Sequence, residues 1–270
     1  MRCTLAYPMP TVAAPDLSAV ALDRTGLSGD YFDTMARFAR EHWWYRARAR
    51  WMEEALSAVD PRRGWAVDVG CGTGAALESL RRLGFASAVG SDLSPVALAR
   101  ARTVTGERAL FNAYAEHLPP ADWAASCLVS MDVIEHLDDD VRALREYTRV
   151  LEPGGVVLLT VPAYQGLFSY HDVRAGHRRR YSARRLRAAA AEAGIEVVRL
   201  TYFNSFLVVP AALLRRTPLH RFLAQTDEET SYGHPLVNRL LLAVAGVECR
   251  VGRRVRIPCV LSVLLVGRLR

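Results

Sequence analysis

The chain has 270 residues, of which 51% are hydrophobic and 23% are charged, and its formal net charge is +7. This length and composition fit one large globular domain with additions and exclude a disordered or fibrous chain. The positive charge, which comes from arginine alone, favours anionic partners. The five cysteines show no metal-binding or redox spacing, so we expect a cytoplasmic protein.

The first sixty residues predict a flexible segment followed by a helical region. Prolines interrupt the apolar run within residues 1–28, which is unlike a signal peptide. Residues 29–60 show a helical pattern and are predicted to form an N-terminal helical cap. That region contains a dense cluster of aromatic residues and arginines: His42, Trp43, Trp44, Tyr45, Arg46, Arg48, Arg50 and Trp51.

From residue 62 to residue 202, short apolar runs alternate with helical patterns. This alternation predicts an α/β core with a parallel sheet and helices on both faces. We place its strands near 65–69, 87–92, 109–113, 126–131, 155–161 and 195–201. Residues 257–270 predict the last strand of the core sheet, centred on Val260–Val266.

Between strands six and seven lie residues 203–256, a long connection for a compact domain. We interpret it as a helical substrate cap, with a surface helix as the alternative. No apolar run reaches the ~18 residues of a transmembrane helix. Arginines beside apolar residues in this region would also suit contact with a membrane surface, which composition alone does not establish.

The most informative motif is the glycine-rich stretch that follows the first strand. Asp68 is followed by glycines at positions 70, 72 and 74, and a helical pattern then begins at Ala75. Such a strand, turn and helix N-terminus bind nucleotide-like ligands at the carboxyl edge of an α/β sheet. The spacing differs from the dinucleotide motif G-x-G-x-x-G. Asp68 would repel a pyrophosphate but could receive a cationic amine.

A second acid ends the next predicted strand. Asp92 lies 18 residues after Gly74, where a carboxylate can accept hydrogen bonds from both hydroxyls of a ribose. The alternative is that Asp92 only caps the following helix, a role that Ser94 could also fill.

In this order the motifs resemble those of the class I S-adenosylmethionine-dependent methyltransferases, from Trp65 to Leu200. Further similarity lies in Ala115–Pro119, in Asp132–Leu137 and in the turn Leu151–Gly155. The resemblance implies a Rossmann-like seven-stranded, mostly parallel sheet whose last two strands are antiparallel. It also implies S-adenosylmethionine as cofactor and S-adenosylhomocysteine as product. The expected cofactor-binding residues are Asp68, Gly70, Gly72, Gly74, Asp92, Leu93, Ala115, Glu116, Met131 and Arg46.

One departure from the family pattern is Tyr114, where many relatives carry an aspartate that binds the adenine amino group. A backbone contact near Ala115 could replace that side chain.

The first cluster that could shape catalysis is Asp132, Glu135 and His136, after the fourth strand. His136 is the preferred general base because an imidazole changes charge near neutral pH; the alternative is a histidine that only binds backbone. The acid-x-x-Glu-His pattern also resembles a motif associated with a divalent ion in ubiquinone-pathway O-methyltransferases. We therefore keep these three residues as tentative metal ligands, although a metal-free site ranks higher.

The second cluster is the loop Ser169–Tyr181, after the fifth strand. His171 and His177 are further candidates for the base. We expect Arg178 and Tyr181 to bind substrate, because arginine binds carboxylates and phosphates. The alternative is a solvated basic loop. Similar loops occur in a subgroup of bacterial methyltransferases of unassigned substrate.

The third cluster lies in the N-terminal helical region. Helices before the first strand fold over the cofactor in the family, so Arg46 or Arg48 could pair with the methionyl carboxylate, and Arg46 is the preferred candidate. Tyr45 could close the pocket over the substrate. The alternative is core packing, which we favour for the tryptophans.

These features predict transfer of a methyl group to a small or medium-sized acceptor that is anionic and partly hydrophobic. O-methylation ranks first and N-methylation second, in specialised metabolism or cell-envelope precursor modification. The alternatives are an RNA methyltransferase and a non-catalytic cofactor-binding protein. No separate nucleic-acid-binding module is evident, so a small-molecule partner is favoured over nucleic acid. The sequence leaves the oligomeric state open.

Overall fold

The computed structural model describes residues 29–119, 122, 124–203, 235–252 and 261–270, with the side chains of residues 29–31 and of His171 left out. The expectations for residues 1–28, and for the parts of the substrate cap at 204–234 and 253–256, lie outside these ranges.

Seven strands form one sheet. The strands are β1 (Trp65–Val69), β2 (Ser87–Asp92), β3 (Leu110–Asn112), β4 (Ala125–Met131), β5 (Leu151–Pro162), β6 (Ile195–Phe203) and β7 (Ser262–Leu269). Their order in the sheet is β3-β2-β1-β4-β5-β7-β6. All neighbouring pairs are parallel except those of β7, which runs antiparallel to both β5 and β6. This confirms the Rossmann-like, mostly parallel sheet.

Helices flank the sheet in the described part of the chain. They are α1 (Gly29–Glu41), α2 (Trp43–Val59), α3 (Ala75–Arg82), α4 (Pro95–Thr105), α5 (Asp140–Val150), α6 (Tyr170–Arg174), α7 (Ala183–Glu192) and α8 (Pro235–Val251). Two short 3-10 turns span Ile134–His136 and Gln165–Leu167. No helix among these described residues is long and apolar enough to cross a membrane.

The two faces of the sheet build two separate hydrophobic cores, because successive residues of a strand point to opposite sides. On one face Val67 and Leu128 pack with α5 and α7. The fully buried Tyr147 of α5 lies in this core. On the other face Ala66 and Cys127 pack with α2, α3 and α4. The continuous apolar runs of the sequence thus reflect burial on both faces.

The N-terminal helical region consists of two helices, α1 and α2, which are separated by a break at His42. His42 takes an extended conformation, and its Nδ1 accepts a hydrogen bond from the Trp44 amide at 3.3 Å. Asn238 of α8 reaches the same break: it accepts from the Trp43 amide at 2.7 Å and donates to the Glu41 carbonyl at 2.8 Å. A side chain nearly 200 residues away therefore satisfies the backbone groups that the break exposes.

The described part of the expected substrate cap packs on this N-terminal region. Leu242 and Ala245 of α8 form a small core with Trp43 and Ala47 of α2. Gly252, just after α8, leaves room for the ring of Trp51, since a Cβ there would lie 2.5 Å from it. The N-terminal helical region and α8 therefore pack against each other. The boundaries of the predicted domains stay a prediction.

Candidate functional site

The glycine turn joins β1 to α3 and has an open side. Gly70, Gly72 and Gly74 all have positive φ, at 70°, 51° and 89°, a region that residues with a Cβ rarely adopt. A Cβ at Gly70 would lie 2.4 Å from Val133, and one at Gly74 would lie 2.7 Å from Thr105. At Gly72 a Cβ would meet nothing within 4 Å. Gly72 therefore faces the space in which a ligand could approach the backbone.

Asp92, at the end of β2, is bonded to this turn. Its Oδ2 accepts from the Gly72 amide at 2.8 Å and its Oδ1 from the Ser94 amide at 2.9 Å. Burial raises the pKa of Asp92, although these backbone hydrogen bonds oppose the rise. Ser94 caps α4 with its own side chain, so the carboxylate of Asp92 is not the cap of that helix. Each carboxylate oxygen keeps acceptor capacity for a ribose hydroxyl.

Asp68 is the least satisfied acid of the turn. Its side chain is buried, and its Oδ2 has no hydrogen-bond partner among the described residues. Burial raises the pKa of Asp68 to about 8, the negative charge of Asp92 adds to the rise, and Arg48 opposes it. A buried oxygen without a partner is costly, and a cationic amine bound at the turn would supply the missing donor.

Of the two candidate arginines of α2, Arg48 faces this edge of the sheet, whereas Arg46, the preferred candidate, does not. Arg48 Nη1 lies 2.7 Å from Oδ2 of Asp132, whose Oδ1 accepts from Thr160 Oγ1 at 3.1 Å. Arg46 is exposed, since residues two apart in a helix point about 200° apart. The sequence carried a usable signal: Arg48 lies three positions before Trp51, on the buried face of α2.

Arg46 lines a cleft of about 320 Å³ between α1, α2 and α3, and the cleft reaches Thr73 of the glycine turn. Tyr45, expected to bind substrate, donates its hydroxyl hydrogen to Met35 Sδ at 3.0 Å, and the guanidinium of Arg48 lies 5.7 Å from its ring centre. Tyr45 is therefore next to the arginine that faces the site.

The remaining expected cofactor residues lie at or after the carboxyl ends of β2, β3 and β4. Leu93 and Met131 are half-buried and Ala115 is buried. Glu116 is half-buried, and its Oε2 has no hydrogen-bond partner among the described residues. Their roles in binding stay predictions.

Two of the three candidate histidines come together although 41 positions separate them. The 3-10 turn after β4 places His136, and the loop after α6 returns His177 beside it, so that the ring centres are 4.8 Å apart. The Arg178 amide donates to the Glu135 carbonyl at 2.8 Å, which ties the loop to the turn. The side chain of His171 is outside the described part of the chain.

The surroundings fix the direction of the His177 imidazole and favour one charge state of His136. His177 Nδ1 lies 2.9 Å from Asp172 Oδ1, and its Nε2 is 4.0 Å from Glu135 Oε1. Although burial acts to raise it, hydrogen bonds with His177 and Arg180 hold the pKa of Asp172 well below its usual range. Burial and the neighbouring His177 lower the pKa of His136, which favours the neutral ring.

Glu135 is fully buried, and neither of its carboxylate oxygens has a hydrogen-bond partner among the described residues. Burial raises its pKa well above the ordinary value, and the charge of Asp132 adds to the rise.

The arginines of the basic loop largely serve the loop itself. Arg180 is buried and binds Asp172, while Arg179 donates to the carbonyls of Leu137 and Asp138. Arg178 pairs with Asp138 at 2.6 Å, but its side chain is still 53% exposed, and Arg174 is exposed as well.

Tyr181 does not occupy the position expected of a substrate ligand. It is fully buried, and its hydroxyl donates to Asp140 Oδ2 at 2.6 Å. It has no surface to offer an acceptor molecule, because its ring packs in the core beneath α5 and α7. We therefore assign Tyr181 a structural role.

Comparisons with known proteins agree with this geometry. Residues 67–159 match the family model described as a methyltransferase domain. The ubiquinone biosynthesis O-methyltransferase of Caulobacter vibrioides is 29% identical over 153 residues, which cover 50% of this chain and 59% of that enzyme. The malonyl-acyl-carrier-protein O-methyltransferase of Dechloromonas aromatica is 37% identical over 128 residues, 46% of this chain and 44% of that enzyme.

The chain thus spans about half the length of the curated relatives it matches. Among solved structures, the methyltransferase in complex with the Haloferax volcanii Trm112 activator is 25% identical, with a TM-score of 0.56. The alignment covers 88% of this chain and 96% of that one. In its match to a methyltransferase domain over residues 67–159, in its sheet order and in its glycine turn, the chain resembles the class I S-adenosylmethionine-dependent methyltransferases.

Proposed function

We propose that the protein transfers a methyl group from S-adenosylmethionine to a small or medium-sized acceptor that is anionic and partly hydrophobic. The observation that carries the proposal is the arrangement at the glycine turn. There Asp68, whose Oδ2 has no partner within the described ranges, the open side of Gly72 and the carboxylate of Asp92 share one edge of the sheet.

These residues fit the chemistry of the cofactor. Asp68 would accept hydrogen bonds from the amino group of the methionyl part, and Asp92 would accept from the ribose hydroxyls. The backbone at Gly72 allows close approach. The bound cofactor supplies an electrophilic methyl group on its sulfonium, so the protein must chiefly align the two reactants.

On the acceptor side, we propose His136 or His177 as the group that removes a proton. A neutral imidazole can act as a general base, and the lowered pKa of His136 favours that form. For His177, Asp172 would hold the proton on Nδ1 and leave Nε2 as the acceptor. The exposed surface of Arg178 offers a contact for an anionic group.

O-methylation ranks before N-methylation because relatives named as O-methyltransferases occur in two separate pathways, for ubiquinone and for malonyl-acyl carrier protein. Nucleic acid ranks below a small molecule as acceptor. A cytoplasmic setting is part of the proposal, since Cys71 and Cys127 are buried thiols.

The test is transfer of labelled methyl from S-adenosylmethionine into separated pools of small organic acids, amines and RNA. We expect label in the organic acids, in a product that loses it on mild alkaline hydrolysis or ether cleavage. Label in RNA would instead support the nucleic-acid alternative. Binding of S-adenosylhomocysteine without label in any pool would support a non-catalytic protein. Titration with NADH, which we expect not to bind, tests the alternative that the glycine turn binds a dinucleotide.

A further inference from the structure

The carboxyl of Glu135 has no hydrogen-bond partner among the described residues and therefore favours a bound ligand. Buried polar atoms in folded proteins nearly always have a partner, yet both oxygens of Glu135 lack one among the described residues. Protonation does not remove the difficulty, because a neutral carboxylic acid would still bury an unpaired O–H donor. A positively charged or donating group in contact with Glu135 would remove it.

Two imidazoles are held in the orientation that a metal ion needs. His177 directs Nδ1 to Asp172, whose own carboxylate is fixed by Arg180 Nε at 2.7 Å and by the Ser169 amide at 2.8 Å. Its Nε2 therefore points toward Glu135. His136 is hydrogen-bonded to the backbone of Gly176. Metal-bound histidines typically bond their second nitrogen to a carboxylate or a carbonyl in this way.

We propose that Glu135, His136 and His177 bind a divalent transition-metal ion, with Zn²⁺ as the representative. One ligand atom from each of these residues lies within 4.8 Å of the others. Two imidazoles and one carboxylate suit Zn²⁺, Fe²⁺ or Co²⁺ better than Mg²⁺, which prefers oxygen ligands. Asp172 acts as a positioning residue that orients His177.

This donor set differs from the one that the sequence motif implied. Asp132 is replaced by His177, a residue from a distant loop. Asp132 is already committed to Arg48 at 2.7 Å and to Thr160 at 3.1 Å. It thus neutralises a cation of the protein, whereas Glu135 pairs with no arginine in the described part of the chain and has only His177 Nε2 at 4.0 Å.

The three side chains must move inward when metal binds. Bonds of about 2.1 Å in a tetrahedral site place ligand atoms roughly 3.4 Å apart, so the largest separation of 4.8 Å contracts by about 1.4 Å. Rotation of the half-buried His136 and His177 can provide this movement, while the buried Glu135 stays fixed. Three protein ligands leave one position open for water or an acceptor oxygen. With metal bound neither imidazole could act as the general base, and the metal would instead lower the pKa of the acceptor hydroxyl, a role that rests on the proposed function.

The experiment measures metal binding directly on the full chain. Protein stripped with a chelator and dialysed is titrated calorimetrically with Zn²⁺ and, separately, with Mg²⁺; Co²⁺ is followed by its visible d–d absorption. We expect one equivalent of Zn²⁺ to bind and Co²⁺ to give the spectrum of a site with nitrogen ligands. Glu135→Gln and His177→Gln should weaken Zn²⁺ binding more than 100-fold, and Asp172→Asn by about 10- to 100-fold.

His117→Gln is the matched control, because His117 is exposed and pairs with Arg142 away from the cluster. It should leave Zn²⁺ affinity unchanged. Absence of Zn²⁺ binding, binding of Mg²⁺ alone, or equal losses in His117→Gln and Glu135→Gln would overturn the proposal.

Each sample is also titrated with S-adenosylhomocysteine and melted thermally. If Glu135→Gln fails to fold, the comparison rests on His177→Gln, at a side chain that is partly exposed. Failure to bind metal in protein that binds S-adenosylhomocysteine would reject the metal site and leave the methyltransferase proposal intact.

Discussion

Asp92→Ala should weaken the binding of S-adenosylhomocysteine without unfolding the protein. The two oxygens of Asp92 each accept one backbone amide, at 2.8 and 2.9 Å, and each retains acceptor capacity for the ribose. A hydrogen bond to a charged group contributes ~1.5–3 kcal/mol. Because water can partly replace the lost carboxylate, we expect the loss of about one such bond. That corresponds to a roughly 10- to 160-fold rise in Kd.

The same substitution also loosens the glycine turn, and this second effect needs its own control. Asn112→Ala removes the two hydrogen bonds that Nδ2 of Asn112 donates to the carbonyls of Asp92 and Leu93, at 3.0 and 2.8 Å. It disturbs the same segment but keeps the carboxylate. We therefore expect only a few-fold change in Kd for Asn112→Ala.

The assay is isothermal titration of wild type and both variants, with thermal melts to establish that each is folded. An intermediate loss in Asp92→Asn, which keeps one acceptor oxygen, would support a charge-assisted contact. If Asp92→Ala binds as tightly as wild type, or no more weakly than Asn112→Ala, then Asp92 does not contact the ribose.

The remaining predictions concern Asp68 and Arg48 in the site and Asn238 at the break between α1 and α2. The pKa of Asp68 is raised to about 8, so its carboxyl is mostly protonated at pH 7, and pairing with a cationic amine should release a proton. Calorimetry in two buffers of different ionisation enthalpy should detect that proton for wild type and not for Asp68→Asn. For the same reason the stability of the free protein should fall as pH rises from about 4 to 8, with a flatter profile in Asp68→Asn; identical profiles would contradict the assignment. Arg48→Met leaves Asp132 without its cation and should lower the free energy of unfolding by roughly 1.5–3 kcal/mol in urea titrations, whereas no change would mean that the pair is not formed. Asn238→Ala removes two hydrogen bonds at the break between α1 and α2 and should cost about 1–2 kcal/mol; an unchanged urea midpoint would show that water satisfies that break equally well.

The sequence alone was sufficient for the fold class and for the edge of the sheet at which the site lies. Apolar runs with glycines at fixed spacing are local signals, and each predicted strand lies within a few residues of an observed one. The last strand was placed near Val260–Val266 and occupies Ser262–Leu269, because periodicity marks an apolar run more reliably than its ends.

The sequence also indicated which residue types would form the site, but their pairing needed the tertiary structure. His136 and His177 were separate candidates, and only the return of the loop after β5 brings their rings to 4.8 Å. Arg46 and Arg48 are both candidates by charge, and Arg46 is the preferred one, whereas Arg48 faces the site. The spacing of Arg48 to Trp51 indicates the buried face of α2, but the ion pair of Arg48 with Asp132 depends on how α2 packs against the sheet.

Burial is the property that composition could not supply. Tyr181 and Glu135 are both polar residues in or beside loops, yet both are fully buried, the first with its hydroxyl bonded to Asp140 and the second without a partner among the described residues. Local sequence determined the strands, the turn and the helix starts, because these depend on backbone preferences and on apolar periodicity. Only the folded chain determined which charges meet and which side chains lose water, because those outcomes depend on contacts between residues far apart in sequence.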